Sequence, residues 1–289
     1  MNIRPRRSVL YMPGSNSRAL EKAAALPADA LILDLEDAVA PEAKALARDQ
    51  VIAAANAKQY GTREVIIRIN GLDTEWGAAD AEAVAASAAH AVLLPKVEIP
   101  NEINDLEARL EAFAARDDMA IWIMIETPRG VLNAERLVAS SARLNTVVMG
   151  TSDLAKELRL DPDDTRAGLR HALSHCVLAA RALGLDIIDG VHLALDDPDA
   201  FRTACAQGRK LGFDGKSLIH PRQIAPANEI FGVSEAAAAD AATIVDAWQR
   251  VGDDGITVVN GRLVEQLHVD EAQRTLALMA AISELEGDS

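Results

Sequence analysis

The chain is expected to fold as an α/β protein, a closed (β/α)8 TIM barrel carrying a C-terminal helix–hairpin–helix cap. Three observations carry that expectation. Short apolar runs alternate with Ala-rich helical stretches, eight times over, in roughly 230 of the 289 residues. The apolar runs are nearly continuous, as parallel strands covered on both faces must be. The first strand–helix turn reads YMPGSNSR, which lacks the GxGxxG pattern of the competing open, doubly wound sheet.

In order, RSVLYM (7–12) reads as the first strand and SRALEKAAAL as its helix. ALILDLED (30–37) is the second strand, and Pro41 opens the helix PEAKALARDQVIAAANA. EVIIRIN (64–70) precedes a helix through the seventies and eighties. AVLLPKV (91–97) precedes a helix opened by Pro100. AIWIMIE (120–126) is the fifth strand, followed by one helix through VLNAERLVAS. TVVMG (146–150) leads into a long stretch read as helical from about Thr165. DIIDGV (186–191) is followed by the helix DPDAFRTACAQGRKL, and FDGKSLI (213–219) by a helix from Pro221.

About 55 residues follow the eighth unit, too many for a tail and too few for an independent enzyme domain. SEAAAADAATIVDAWQR reads as a helix and ITVVNGRLVE as a hairpin turning at Asn260-Gly261; a last helix is expected from about Val269. The organisation expected is a barrel over residues 1–232 and a cap over 233–289, the cap covering a neighbouring subunit's active site.

Composition narrows the function. The formal net charge of −15 repels phosphate backbones and anionic lipid, which argues against nucleic acid or a membrane surface as partner. No apolar run is long enough to span a bilayer, and the apolar part of MNIRPRRSVLYMPG is too short for a secretory signal, so a cytoplasmic location is expected. Cys176 and Cys205 form no CxxC and read as buried free thiols.

In such a barrel the chemistry sits where strands end and βα loops begin. Those ends carry Asp34, Glu36 and Asp37 (strand 2), Arg68 and Asn70 (strand 3), Lys96, Glu126, and the Gly150-Thr151-Ser152-Asp153 run. Asp189 closes strand 7, and strand 8 carries Lys216 and ends at His220. All are expected to face one another across the mouth. Glu126 and Asp153 end adjacent strands, and two close carboxylates repel unless a cation lies between them. One or two carboxylates completed by water and substrate oxygens is how Mg2+ is held. The alternative is that both pair with Arg68, Lys96 or Arg129. A Schiff base on Lys96 is the competing chemistry.

RSVLYMPGSNSRALEKA, LILDLEDAV, RIN, LLPKV, IETPRG, MGTSDLAKEL and GFDGKSLIHPRQI occur in this order. Together they resemble the citrate lyase β-subunit-like branch of the HpcH/HpaI aldolase family, with its malyl-CoA and citramalyl-CoA lyases. NGLDTEWG and the cap segment are most similar to the (3S)-malyl-CoA thioesterase and β-methylmalyl-CoA lyase types. The resemblance implies a TIM barrel, Mg2+ or Mn2+ as cofactor, and coenzyme A as part of the substrate. It implies Glu126 and Asp153 as metal ligands, and Arg68, Gly150 and Thr151 beside Glu126 as contacts to the α-keto acid portion. Glu36 and Asp37 would line the metal pocket through water. Arg18, Lys22, His220 and Pro221 would meet coenzyme A.

One departure stands out. Many relatives place an Asp in a GKMID-like cap motif, where it reaches a neighbouring subunit's site as acid or base. Here the motif reads GRLVEQLH, so Glu265 takes that place. The resemblance implies C–C cleavage of a 3-hydroxyacyl-CoA such as malyl-CoA, β-methylmalyl-CoA or citramalyl-CoA to an acyl-CoA and an α-keto acid. Hydrolysis of (3S)-malyl-CoA at the same site, and a citryl lyase subunit working in a complex, are the alternatives. A homotrimer or homohexamer with exchanged caps is implied as well. His171 and His175 have helical metal spacing without the HExxH glutamate, and GKS at 215–217 lacks the first P-loop glycine, so neither is taken as a site.

Overall fold

Eight strands run in one direction in the computed structural model, which describes residues 3–161, 165–251 and 256–287. They are β1 (Ser8–Pro13), β2 (Ala30–Asp34), β3 (Glu64–Arg68), β4 (Ala91–Leu94), β5 (Ala120–Ile125), β6 (Leu144–Met149), β7 (Asp186–Asp189) and β8 (Gly215–Leu218). Each pairs in parallel with its neighbour in sequence, and β8 pairs back onto β1, so the sheet closes into a barrel with no free edge. The expected (β/α)8 fold is therefore the fold observed.

Among the described residues ten α-helices surround it: α1 (Ser17–Ala23), α2 (Lys44–Asn56), α3 (Gly77–Ala85), α4 (Pro100–Ala112), α5 (Pro128–Leu132), α6 (Ala134–Val138), α7 (Thr151–Glu157), α8 (Arg170–Ala182), α9 (Pro198–Leu211) and α10 (Ile224–Phe231). Their local signals are ordinary ones. In α9 the Asp197 side chain accepts the Ala200 N–H at 2.9 Å, and Pro198 occupies the first turn. Arg209 and Lys210 sit in its last turn, and Gly212 ends it in the left-handed region at φ 100°.

The strands are buried on both faces. Val9, Ile32, Ile66, Leu93, Trp122 and Val148 belong to the cluster that fills the barrel, and a larger cluster packs the outer wall against the helices. The N-terminal end is plugged by Arg6, which donates to Glu64 at 2.7 and 2.9 Å and to Asp186 at 2.5 Å over the Trp122 ring. The opposite end stays open for the loops.

Several boundaries differ from expectation. The helix expected through VLNAERLVAS is two, because Asn133 leaves helical geometry (φ −99°, ψ 5°) and gives its side-chain amide to Glu98 O. Helix α7 begins directly after β6, in TSDLAKE, where no helix was expected. Helix α8 starts at Arg170, not Thr165, after a 3-10 turn at Ala167–Leu169.

The larger correction concerns direction. Asp189 and Lys216 are paired neighbours on β7 and β8, and both are fully buried. Their neighbours Ile188 and Ser217 have the opposite parity, and Ile188 belongs to the cluster inside the barrel. Asp189 and Lys216 thus point outward, into the layer between wall and helices. Lys216 Nζ donates to Asp189 Oδ2 at 2.8 Å and to Gly190 O at 2.5 Å. Arg166 Nη1 donates to both Asp189 oxygens at 2.8 and 2.9 Å. They form a structural ion triad and do not face the mouth.

The chain divides into two compact units, Arg6–Phe231 and residues 1–5 with 232–289. In the second, α11 (Glu235–Val251) and α12 (Gln266–Gly287) pack together beside a hairpin of β9 (Thr257–Val259) and β10 (Arg262–Val264). The hairpin turns at Asn260-Gly261 with φ 49° and 75°, the pair of left-handed residues that an Asn-Gly turn supplies. Val259, Val264 and Val269 pack with Ile244, Ala247 and Trp248. Helix α12 starts three residues before the expected Val269. Among the described residues no helix is long and apolar enough to cross a membrane.

Candidate active site

The open end of the barrel holds a cavity of about 340 Å3 whose lining includes Arg68, Asp37, Glu126, Gly150, Thr151 and Asp153. Each comes from the C-terminal end of a strand or the residues just beyond it. A second cleft of about 560 Å3 adjoins it through Asp37 and carries Glu36, Lys44, Asn70 and Lys96 on its wall.

Arg68 is the most constrained group. Its Nε and Nη2 donate to Asp34 Oδ1 and Oδ2, both at 2.6 Å, and its guanidinium lies 4.9 Å from the Tyr11 ring centroid. Asp34 also accepts the Glu36 N–H at 2.9 Å and the Ala38 N–H at 3.1 Å, so one carboxylate orders both Arg68 and the acidic loop after β2. The third guanidinium nitrogen, Nη1, lies 2.8 Å from Glu36 Oε2. That buried oxygen accepts no hydrogen bond, and Nη1 donates instead to Met124 Sδ at 3.8 Å. Lys44 Nζ donates to Leu35 O and Glu36 O, each at 2.8 Å, and stacks on Trp76.

Glu126 directly follows β5 with 1 % of its surface exposed. Its Oε1 accepts the backbone N–H of Lys96 at 2.9 Å. Burial, reinforced by the charge of Glu36, pushes its carboxyl up to about 8. Gly150 lies flat against this carboxylate, and a Cβ there would collide with it. Burial likewise raises the Glu36 carboxyl and the Tyr11 phenol. Lys96 gives its ammonium to Glu36 Oε1 and lies 3.6 Å from Asp37 Oδ1. Burial opposes its charge, but the Glu36 hydrogen bond wins and raises the ammonium above its usual range.

Asp153 stands half-buried in the first turn of α7, and among the described residues no hydrogen bond or ion pair takes its carboxylate. Among the described residues neither Glu126 nor Asp153 forms an ion pair with the side chain of Arg68, Lys96 or Arg129. Lys96, held as a cation by Glu36, is a poor amine nucleophile, which weighs against the Schiff base. The donors fit a hard divalent ion. One carboxylate is buried with too little positive charge around it, and the other has no protein partner. Among the described residues no group of three or more His, Cys, Asp or Glu side chains forms a metal cage. A two-carboxylate set of this kind suits Mg2+, which keeps most of its water, better than zinc or calcium.

Arg18 and Lys22 stand exposed on α1, outside the cavity lining. His220 caps a 3-10 turn, its Nδ1 accepting the Arg222 N–H at 3.1 Å, with Pro221 exposed beside it. Glu265 belongs to the second unit, exposed just ahead of α12, with its N–H donating to His268 Nδ1 at 3.1 Å. Cys176 and Cys205 are buried, and burial alone pushes Cys176 up to about 12, which makes it inert.

Two roles are not legible in the sequence. Asp34 was one acid among three at the end of β2, and only the β2–β3 register, Asp34 opposite Arg68, shows it as the partner. Tyr11, two residues before the Pro-Gly turn, gave no signal beyond an aromatic ring of inward parity.

The profile of the HpcH/HpaI aldolase/citrate lyase family matches residues 7–221. The chain belongs to that family. A (3S)-malyl-CoA thioesterase of Cereibacter sphaeroides is 48 % identical over 283 residues, covering 96 % of each chain. The L-malyl-CoA/β-methylmalyl-CoA lyase of the same organism is 32 % identical over 296 residues, covering 93 % of each. Among solved structures, the CitE protein of Mycobacterium tuberculosis in complex with magnesium, acetoacetate and coenzyme A matches with a TM-score of 0.76 at 28 % identity, over 94 % of this chain and 97 % of that one. The thioesterase and the lyase are both enzymes, and the likeness to them runs through barrel and C-terminal unit alike.

Proposed function

We propose that this HpcH/HpaI family member is a Mg2+-dependent enzyme that hydrolyses a malyl-CoA-type thioester to the hydroxy acid and free coenzyme A. The reading rests on one arrangement: a guanidinium locked by Asp34 and Tyr11 at the floor of a cavity that also holds the Glu126 and Asp153 carboxylates. A cavity of about 340 Å3 suits a four-carbon hydroxy acid with its thioester end toward the opening. The motif resemblance alone places C–C cleavage first and hydrolysis second. The 48 % identity to a thioesterase, against 32 % to a lyase, reverses that order.

Glu126 and Asp153 would hold the ion, which when bound supplies Lewis-acid polarisation to the substrate oxygens it touches. Arg68 binds the distal carboxylate of the acyl group, and Asp34 keeps it from swinging away. Gly150 and Thr151 form the wall that the acyl chain lies against. In hydrolysis, a water oxygen bonds to the thioester carbonyl carbon, its proton passes to a base, and the C–S bond breaks to release thiolate. Glu265, delivered by the cap of a neighbouring copy, is the base proposed, with Glu36 and Asp37 ordering water at the mouth. The exposed face of the hairpin supports such docking. Ile256, Val258 and Leu263 are more than half exposed, Val258 lies opposite Leu263, and Glu265 continues their alternation. Arg18, Lys22, His220 and Pro221 remain the proposed contacts to coenzyme A.

C–C cleavage to acetyl-CoA or propionyl-CoA and a keto acid is the second reading, favoured by the lyase that covers 93 % of this chain. Incubation with (3S)-malyl-CoA and Mg2+ separates the two. Free thiol with malate supports hydrolysis, and glyoxylate with acetyl-CoA supports cleavage. No turnover without an added acyl-carrier protein points instead to a citryl lyase subunit.

A further inference from the structure

Lys96 is a non-glycine residue in left-handed backbone geometry, φ 52°, at the edge of the candidate site. Side chains other than Asn, Asp and Gly seldom adopt it, and such residues persist where surrounding contacts over-determine them. The contacts here are identifiable.

The strand register explains the conformation. Where Asp34 pairs with Arg68, the next residue, Leu35, donates its N–H to Arg68 O at 2.9 Å. Where Arg68 pairs with Leu93, Ile69 donates to Leu93 O at 3.2 Å. In the β4–β5 pair the register is Leu94 opposite Ile123. One regular step further, the Lys96 N–H would donate to Met124 O. Val97 donates there instead, at 3.1 Å. The chain therefore carries one extra residue, a bulge, and the freed Lys96 N–H donates to Glu126 Oε1 at 2.9 Å. The same excursion lets the Lys96 ammonium reach Glu36 and Asp37, while Arg68 Nη1 lies on the far side of Glu36 at 2.8 Å.

We infer that Lys96 is a positioning residue whose left-handed backbone, through its N–H, pins one oxygen of Glu126 and so sets the other for the divalent ion. The inference rests on the metal reading above. The backbone conformation carries the effect and the ammonium does not, so the identity of residue 96 matters through its tolerance of positive φ. Glycine and alanine leave the N–H in place. Valine, β-branched, drives the backbone out of the left-handed region and takes the N–H with it.

The test is direct Mn2+ binding, read from the free-ion electron paramagnetic resonance signal on the full chain without substrate. Lys96→Gly and Lys96→Ala are expected to bind within about threefold of the wild type, and Lys96→Val about tenfold or more weaker. Equal affinity in Lys96→Val, or a tenfold loss in Lys96→Gly, overturns the inference while the wild type still binds. No Mn2+ binding by the wild type overturns the metal reading and the inference with it. Should Lys96→Val not fold, amide hydrogen exchange reads the same bond: the Lys96 amide is expected to exchange at least about tenfold faster in Glu126→Ala than in wild type, and equal rates overturn the inference.

Discussion

Arg68 and Asp34 face each other across adjacent strands with two parallel hydrogen bonds of 2.6 Å, and neither is more than 6 % exposed. The pair spends two of the three guanidinium nitrogens on Asp34, while Nη1 lies against Glu36 and Met124 at the cavity. A lysine cannot reproduce that division, because a single ammonium has no fork. Arg68→Lys is expected to lower kcat/KM for a malyl-CoA thioester by about 10²–10³ with the fold retained. Asp34→Asn, which keeps one acceptor, should cost less, and the effect should fall mainly on KM. Thiol release followed against substrate concentration reads both, with circular dichroism as the folding check.

Removing the cation should stop turnover, and so should removing its carboxylates. EDTA is expected to abolish thioester cleavage and added Mg2+ to restore it. Glu126→Gln and Asp153→Asn are expected to lose Mn2+ affinity by more than about tenfold each. An enzyme indifferent to EDTA would leave the two carboxylates without this explanation.

The raised Glu126 carboxyl gives the metal-free protein a pH signature. Its folded value of about 8 exceeds the usual glutamate value of 4.5, so between those limits the folded state binds the extra proton. Stability from this group is complete below about 4.5 and is lost as pH rises through 8. Thermal melts in EDTA should thus fall from pH 5.5 to pH 8.5, and Mg2+ should raise the melting temperature more at pH 8.5 than at pH 5.5. Glu126→Gln should flatten both trends.

How much of this was legible in the sequence depends on what each residue's signal encodes. The eight strands were legible because burial on both faces writes a continuous apolar run, as in ALILD and AIWIMI. The position of Glu126 was legible because a charge directly after such a run is conspicuous, and that of Asp153 because it follows the sixth run by four residues. Parity was not. Asp189 and Lys216 also end or interrupt apolar strands, yet they face the helices, since one residue of register turns a side chain from mouth to wall. Partnership was not legible either, and so Asp34 looked no different from Asp37. The bulge at Lys96 left no mark but an unremarkable Pro-Lys.

The outward triad should be purely structural. The single Asp189 carboxylate is shared between Lys216 and Arg166, and it stays below the usual range because those two charges outweigh its burial. Asp189→Ala leaves two cations facing each other and is expected to cost about 3–5 kcal/mol. Denaturant melts read the loss. Mn2+ affinity, measured where the variant is still folded, should not change.

Gly150→Ala inverts that outcome. Its backbone, φ −91° and ψ 76°, needs no glycine for conformational reasons. The three atoms nearest an added Cβ all belong to Glu126, two of them in the carboxylate. The only way to admit a methyl group is to move β5 and β6 apart or to displace that carboxylate. Overpacking of this kind costs about 1–3 kcal/mol, less than the loss at Asp189. Yet the displacement falls on the group proposed to hold the ion, so Mn2+ affinity should drop by more than about tenfold. The milder lesion should thus do the greater damage to binding, and the harsher one none. If affinity instead follows stability across the two variants, the cavity at the barrel mouth is not where the ion sits.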